Sequence, residues 1–70
     1  MTHRQTYPSM SDDELLQEFK EREEEVRNLL NGARFFLGMP KGLEKLEAAQ
    51  REINRVLEVN RQIIKRGVTL

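Results

Sequence analysis

The sequence predicts an all-α fold, an antiparallel hairpin of two helices. Apolar residues recur at steps of three and four along two runs of similar length, as they do on one face of a helix. A single break, residues 38–42, contains two glycines and a proline and separates the runs. Two helices joined by so short a break lie antiparallel. We therefore expect helices at about 12–37 and 42–66, within a hairpin of residues 11–67.

The residues ahead of the hairpin, 1–10, show little periodicity and include Tyr7 and Pro8, so we expect an extended or mobile N-terminal arm. Ser11 and Glu14 then match a capping box, in which each side chain accepts a hydrogen bond from the backbone N–H of the other residue. The acidic residues of this first turn also suit the positive end of a helix dipole. The pattern predicts that the first helix starts here.

The first helix is predicted to carry an inner apolar stripe. Arg22 interrupts this stripe, and such an arginine typically extends from the edge of a helical seam towards solvent. Gly38 is the expected C-cap, because glycine readily adopts positive φ and Pro40 cannot continue the helix. The expected stripe consists of Leu15, Phe19, Val26, Leu29, Ala33 and Phe36.

The second helix is predicted to end at a glycine after basic residues, followed by a short apolar tail, residues 68–70. Ile53 should then meet Val26, so Ile53→Ala is expected to lower the free energy of unfolding by about 2–5 kcal/mol. Asn60 should lie on the same inner face, opposite Phe19 or Leu16. The expected stripe consists of Leu46, Ala49, Ile53, Val56, Ile63 and Ile64.

The small size of the chain predicts a partner. Seventy residues make at most one small domain, and the core of such a domain rarely stabilises it alone. A lone hairpin has two apolar stripes, and each stripe has only the other to cover it.

The composition argues against several classes of protein. There is no cysteine, and the single histidine, His3, lies in the polar N-terminal segment. The carboxylates of residues 23–25 have no histidine, nucleophile or glycine-rich loop nearby, whereas acid–base catalysis needs a carboxylate with a shifted pKa in a pocket. We expect no enzyme activity, cofactor, metal or small-molecule substrate. Without a membrane-spanning run or a signal-peptide core, the chain is expected to be soluble and intracellular, with no membrane partner.

The charges are balanced but segregated along the chain. Twelve basic and twelve acidic residues give a formal charge of zero, and the acidic residues concentrate in the first helix. Either this segregation fixes the register of the hairpin, or the second helix presents a basic surface to a polyanion. The candidate nucleic-acid contacts on the exposed side of the second helix are Arg51, Asn54, Arg55, Arg61, Lys65 and Arg66.

Four segments occur in the order and spacing of a known family. Residues 11–15, Ser-Asp-Asp-Glu-Leu, resemble a Ser-x-Glu-Glu-Leu entry into helix 1, and Asn28-Leu29 matches an Asn-Leu-Arg segment downstream. Gly38 takes the place of a small-residue turn. Residues 51–59, Arg-Glu-Ile-Asn-Arg-Val-Leu-Glu-Val, are similar to an Arg-x-Ile-Ala-Arg-Val-x-Thr-Val segment. Over about residues 9–66 the chain thus resembles the large-subunit ribosomal proteins numbered twenty-nine in the universal scheme.

This resemblance implies a structural component of a cytoplasmic or mitochondrial ribosome. The implied partners are ribosomal RNA and neighbouring ribosomal proteins near the polypeptide exit. Arg51 and Arg55 would contact large-subunit RNA, and Arg61, Lys65 and Arg66 would add phosphate contacts that do not depend on sequence.

A second hypothesis comes from a different class, a regulatory or antagonist hairpin that acts by protein–protein contact. The neutral charge and the uncovered stripe suit a protein partner better than RNA. Such a hairpin would form a homodimeric four-helix bundle and bind a protein target. The residues expected to contact a partner are Leu16, Leu30, Phe35, Leu37, Leu57 and Ile64.

Overall fold

The protein, in a computed structural model that describes residues 6–67, is a pair of helices packed side by side and antiparallel. Helix α1 spans Asp12–Phe35 and helix α2 spans Pro40–Arg66, and a short 3-10 turn, Tyr7–Ser9, precedes them. The predicted all-α hairpin is confirmed, with its turn-side helix boundaries shifted by about two residues. The tail 68–70 and residues 1–5 of the predicted arm lie outside the described residues.

Helix α1 begins at the predicted capping box. The backbone N–H of Ser11 donates to Glu14 Oε1 over 2.9 Å, and the backbone N–H of Glu14 donates to Ser11 Oγ over 3.2 Å. Two of the N–H groups that lack an intrahelical partner at a helix start are thereby satisfied. This local sequence signal locates the start of α1 to the residue.

The turn between the helices lies about two residues earlier in the chain than the sequence suggested. Helix α1 ends at Phe35 with Phe36 as its cap, two residues earlier than expected, and Gly38 lies within the loop at φ +82°. Pro40 does not end the break but opens α2. Proline suits the first turn of a helix because its missing N–H would have no intrahelical acceptor there.

Both helices meet along seams with heptad spacing, which we call the inner seams. Steps of three and four alternate without interruption, and every member of both seams is buried or half-buried. The inner seam of α1 consists of Leu15, Phe19, Arg22, Val26, Leu29, Ala33 and Phe36. The inner seam of α2 consists of Gly42, Lys45, Ala49, Glu52, Val56, Val59, Ile63 and Arg66.

The inner face of α2 therefore differs from the predicted stripe. Val59, which the prediction left out, is completely buried, whereas Ile53 is 41% exposed and Ile64 is 69% exposed. Leu46 and Asn60 are exposed as well. The inner positions predicted for Ile53 and Asn60 are thus wrong, because the helix is rotated so that the row containing Gly42, Ala49 and Val59 faces α1.

Small residues bring the helices together beside the turn. Ala33 and Ala49 are buried, and Gly42 is buried so close to α1 that a Cβ atom there would overlap the carbonyl oxygen of Phe36. A glycine is required at position 42 because only its bare Cα fits against that carbonyl. The short loop fixes this close approach, and the inner seam of α2 accordingly starts with a glycine.

The segment before α1 packs against the far end of the hairpin. Arg66 donates from Nη2 to the carbonyl oxygens of Tyr7 and Pro8, at 3.3 and 3.0 Å, and from Nη1 to Asp12 Oδ1 at 3.2 Å. Within the described part of the predicted arm, Tyr7–Ser9 form a 3-10 turn between two residues with extended backbone, Thr6 and Met10. The turn is anchored because the last basic residue of α2 supplies donors to its carbonyls.

Candidate interaction surfaces

Helix α2 carries a second row of heptad-spaced residues, one position after each member of its inner seam. A shift of one residue rotates the position by about 100° around a helix, so this row lies on one side of the hairpin instead of between the helices. We call this row the outer seam. It consists of Leu43, Leu46, Gln50, Ile53, Leu57, Asn60 and Ile64, and all seven are exposed.

The outer seam continues into a groove at the turn end of the hairpin. Leu43 and Leu46 of α2 and Leu37 of the loop line this groove together with Met39. On the α1 side, the corresponding flank carries Leu16 and Leu30, followed by Leu37 of the loop, but charged residues at 20, 23, 27 and 34 separate these leucines. The larger apolar surface therefore belongs to α2, where only the uncharged amides of Gln50 and Asn60 interrupt the row.

The opposite side of the hairpin is polar. Arg22 and Glu52 face each other from the two inner seams, with Nη1 of the arginine 2.8 Å from Oε2 of the glutamate. Glu18 extends the network on α1, at 3.2 Å from Arg22 Nε, and Arg55 extends it on α2, at 3.0 Å from Glu52 Oε1. Burial lowers the pKa of Arg22, but the hydrogen bond and the charge of Glu52 outweigh it and raise the pKa overall. Arg22 is thus a paired charge within the helix interface.

Tyr7 lies beside this polar network. Burial first, and then the negative charge of Glu18, raise the pKa of the Tyr7 phenol above its ordinary value, while Arg55 and Arg22 oppose the shift. The charged neighbours of Tyr7 thus all belong to this network, and the outer seam of α2 stays exposed.

The six predicted nucleic-acid contacts do not form one surface of unpaired groups. Arg66 is occupied by Asp12 and by the 3-10 turn, Arg55 is paired with Glu52, and Arg61 is paired with Glu58. Arg51 and Lys65 are exposed on the polar side, and Asn54 is exposed between that side and the outer seam. The heptad numbering places Arg51 and Arg55 next to the flank of α1 that carries the glutamates at 18, 21 and 25.

Five of the six predicted partner contacts lie on the side of the outer seam. Leu57 and Ile64 belong to the seam itself, and Leu16, Leu30 and Leu37 flank it. Phe35, 81% exposed, falls on the other flank of α1, where its ring packs edge-on against Phe36 with 5.1 Å between ring centroids.

Three large aliphatic residues of this surface were missed by the sequence analysis, namely Leu43, Leu46 and Ile53. The sequence predicts core positions for Leu46 and Ile53 and no role for Leu43. Two heptad rows can be counted along α2 and only one of them can face a single neighbouring helix, but the pattern does not say which row that is.

The described residues, 6–67, contain no cluster of acidic or histidine side chains that could hold a metal ion. Neither described helix is long and apolar enough to cross a membrane.

Comparisons with known proteins find no matching family model, no matching curated protein and no matching solved structure. The resemblance to the ribosomal family therefore stays a prediction from the four segments that carry it.

Proposed function

We propose that this chain is a small non-enzymatic interaction protein that acts by protein–protein contact through the outer seam of α2. The observation that carries the proposal is the seam itself, where five large aliphatic side chains stand exposed at heptad spacing along one helix. Single exposed apolar residues are ordinary on protein surfaces, but a row of five large aliphatic side chains on one face marks a binding surface. Heptad spacing suits a second helix as the binding element.

The polar side of the hairpin supports a protein partner over a nucleic acid. Contact with phosphates requires arginines that are free to leave their present partners. Arg55, Arg61 and Arg66 each form an ion pair with a carboxylate of the same chain. A polyanion would have to displace those carboxylates and would meet the acidic flank of α1 beside them.

Photo-crosslinking from two sides of the molecule tests the proposal. A benzophenone amino acid is incorporated at position 57, on the outer seam, or at position 51, on the polar side, in cells of the source organism. We expect a protease-sensitive, nuclease-resistant adduct from position 57. Ile53→Glu should abolish that adduct, whereas Asn28→Glu, which adds the same charge on an exposed part of α1, should leave it intact.

The opposite pattern of adducts contradicts the proposal. Nuclease-sensitive adducts from position 51, with none from position 57, would mean that the polar side is the functional surface and that it binds RNA.

A structural role in the large ribosomal subunit is a second candidate. It is favoured by Arg51 and Lys65, two exposed cations of the polar side that form no ion pair with any described residue. The test is whether the chain co-sediments with large subunits and whether Arg51→Glu together with Arg55→Glu abolishes that association. Protein absent from ribosomal fractions rules this candidate out.

A further inference from the structure

We propose that the outer seam binds a second copy of this chain, with the two α2 helices antiparallel and Gln50 of each copy facing Asn60 of the other. This inference rests on the proposed function and names its partner. The pattern of polar residues within the seam carries it.

Gln50 and Asn60 are the two members of the outer seam that are not aliphatic. An amide buried against an aliphatic side chain loses its hydrogen bonds to water and gains none in return. Polar residues in a heptad seam therefore select the partner and register in which they meet another polar group. A second copy of this chain offers two such groups at a fixed separation.

Antiparallel self-pairing allows few registers. Successive residues of the outer seam are separated alternately by three and by four residues. For side chains of the two copies to meet in layers, a three-residue interval on one helix must lie beside a three-residue interval on the other, and a four-residue interval beside a four-residue interval. One allowed register sets Gln50 opposite Asn60, Ile53 opposite Leu57 and Leu46 opposite Ile64. The two-fold axis repeats each layer, so every amide faces an amide and every aliphatic residue between positions 46 and 64 faces an aliphatic residue, while Leu43 comes opposite Gly67 at the end of the partner helix.

Sliding one copy by a heptad destroys this match. In one direction Asn60 comes opposite Leu43 and Gln50 comes opposite Ile53. In the other direction Asn60 comes opposite Leu57, and Gln50 passes the end of the partner helix. Each shifted register buries an amide against an aliphatic side chain, so the first register is favoured over both.

The charges beside the seam agree with the same register. Glu47 and Arg61 each follow a seam residue directly and are exposed. In the proposed register Glu47 of each copy lies within about two residues, or roughly 3 Å along the helix axis, of Arg61 of the other. Arg61 is paired with Glu58 in the monomer, and its flexible side chain can reach both carboxylates.

A parallel arrangement of the two α2 helices lacks this charge pairing. With equal residue numbers side by side, a parallel pair would also match the amides, Gln50 with Gln50 and Asn60 with Asn60. Glu47 and Arg61 of the two copies would then be separated by fourteen residues, or about 21 Å along the axis. The antiparallel pairing is also the one in which the helix dipoles oppose each other.

Sedimentation equilibrium tests whether the chain pairs with itself. The wild-type protein should show a concentration-dependent equilibrium between monomer and dimer. Leu57→Glu should weaken this equilibrium at least tenfold, because a carboxylate would face Ile53 of the second copy. Asn28→Glu adds the same charge away from the seam and should leave the equilibrium unchanged, and circular dichroism of both variants verifies that the hairpin has folded.

Disulfide trapping tests the register, since the chain has no cysteine of its own. A mixture of Gln50→Cys protein and Asn60→Cys protein should yield the mixed disulfide dimer, which mass spectrometry separates from either homodimer. Each variant alone should give little disulfide, because its own equivalents lie ten residues, or about 15 Å, apart along the axis. Homodimers of Asn60→Cys alone, formed in preference to the mixed dimer, would mean parallel pairing and overturn the proposal.

The amide pair is tested by a double-mutant cycle. Gln50→Leu alone should weaken dimerisation about tenfold, because Asn60 of the second copy loses its hydrogen-bonding partner. Adding Asn60→Leu should restore the affinity. Nothing fixes the register of this double variant, so a mixture of its Ile53→Cys and Leu57→Cys derivatives should no longer yield mainly the mixed disulfide dimer. Equal and additive effects of the two substitutions would contradict the pairing.

Failure of this inference is distinguishable from failure of the proposed function. A wild-type chain that stays monomeric from micromolar to millimolar concentration overturns self-pairing. If position 57 then crosslinks to a different protein in cells, the outer seam is still a protein-binding surface. If it crosslinks to no protein, both proposals fall.

Discussion

Arg22 shows how a charged residue is accommodated in a small helix interface. Its guanidinium faces the carboxylate of Glu52 across the two inner seams. Both side chains remain partly exposed to solvent, Arg22 to 23% and Glu52 to 14%. Removing one partner leaves the other in the interface without its charge-assisted hydrogen bond. Replacing both by apolar residues of similar size removes the desolvation cost together with the attraction.

We therefore expect opposite effects from single and double replacement of this pair. Glu52→Leu should lower the free energy of unfolding by about 2 kcal/mol, because Arg22 loses its partner. Adding Arg22→Met should recover that loss or exceed it. Urea denaturation of the four proteins of the cycle measures the coupling. Additive single effects would mean that the pair contributes nothing to stability.

Two glycines with different surroundings provide a matched pair of substitutions. At Gly42 a new Cβ would overlap backbone, whereas at Gly32 it would meet only the side chain of Lys45, at 2.6 Å from Cδ. Gly42→Ala should lower the free energy of unfolding by about 1–3 kcal/mol, because the backbone of the turn must shift. Gly32→Ala should be neutral or raise it by up to about 1 kcal/mol, because Lys45 can move and alanine favours a helix. Thermal melts of the two variants distinguish these outcomes. A tolerated Gly42→Ala would contradict the close approach of the helices.

At the scale of the helices, the sequence allowed the elements to be predicted but not the rotation of α2. The capping box and the break at 38–42 locate the hairpin because they act within a few residues. The rotation depends on which of two heptad rows faces α1. The larger aliphatic residues lie on the outer seam. A stripe predicted from apolar character alone therefore combines residues of the inner seam with residues of the outer seam. The short loop and the contact of Gly42 with Phe36 select the row that contains Gly42, which no local pattern reveals.

The corrected rotation reverses an expectation about stability. Val59 is fully buried and Ile53 is not, so Val59→Ala should lower the free energy of unfolding of the monomer by about 2 kcal/mol. Ile53→Ala should cost less than about 1 kcal/mol under the same dilute conditions. Denaturant titrations at low protein concentration make this comparison. A larger loss for Ile53→Ala would restore the rotation first predicted from the sequence.

The 3-10 turn can be followed through Tyr7, the single tyrosine of the chain. The pKa of Tyr7 is raised in the folded state by burial and by Glu18, so the fold is more stable with the phenol neutral than with the phenol ionised. That contribution is fully present below the unfolded pKa of about 10 and is lost as the pH rises through the higher folded value. The ultraviolet absorbance of the phenolate should thus titrate at higher pH in the native protein than in urea. Arg66→Gln, which releases the turn, should remove the difference.

At the scale of the whole molecule, the location of the polar and apolar sides could be predicted only in part. The segregation of charge predicted that the acidic start of α1 would lie beside the basic end of α2, and Asp12 and Arg66 form such a pair. The pair of Arg22 on α1 with Glu52 on α2 has the opposite sense and did not follow from the segregation. The hydrogen bonds from Arg66 to Tyr7 and Pro8 could not be foreseen, because their acceptors are backbone carbonyls of a turn with no periodic signal.

The close approach of Ala33 and Gly42 beside the turn has a consequence for the rate of folding. Contacts there close a loop of a few residues, whereas those that bury Leu15 and Val59 must join segments near opposite ends of the chain. We therefore expect the hairpin to close from the turn outward, with turn-side contacts already formed in the transition state. In stopped-flow experiments Gly42→Ala should mainly slow refolding, and Leu15→Ala should mainly accelerate unfolding. If Leu15→Ala slows refolding instead, the open ends of the helices meet first and the turn forms last.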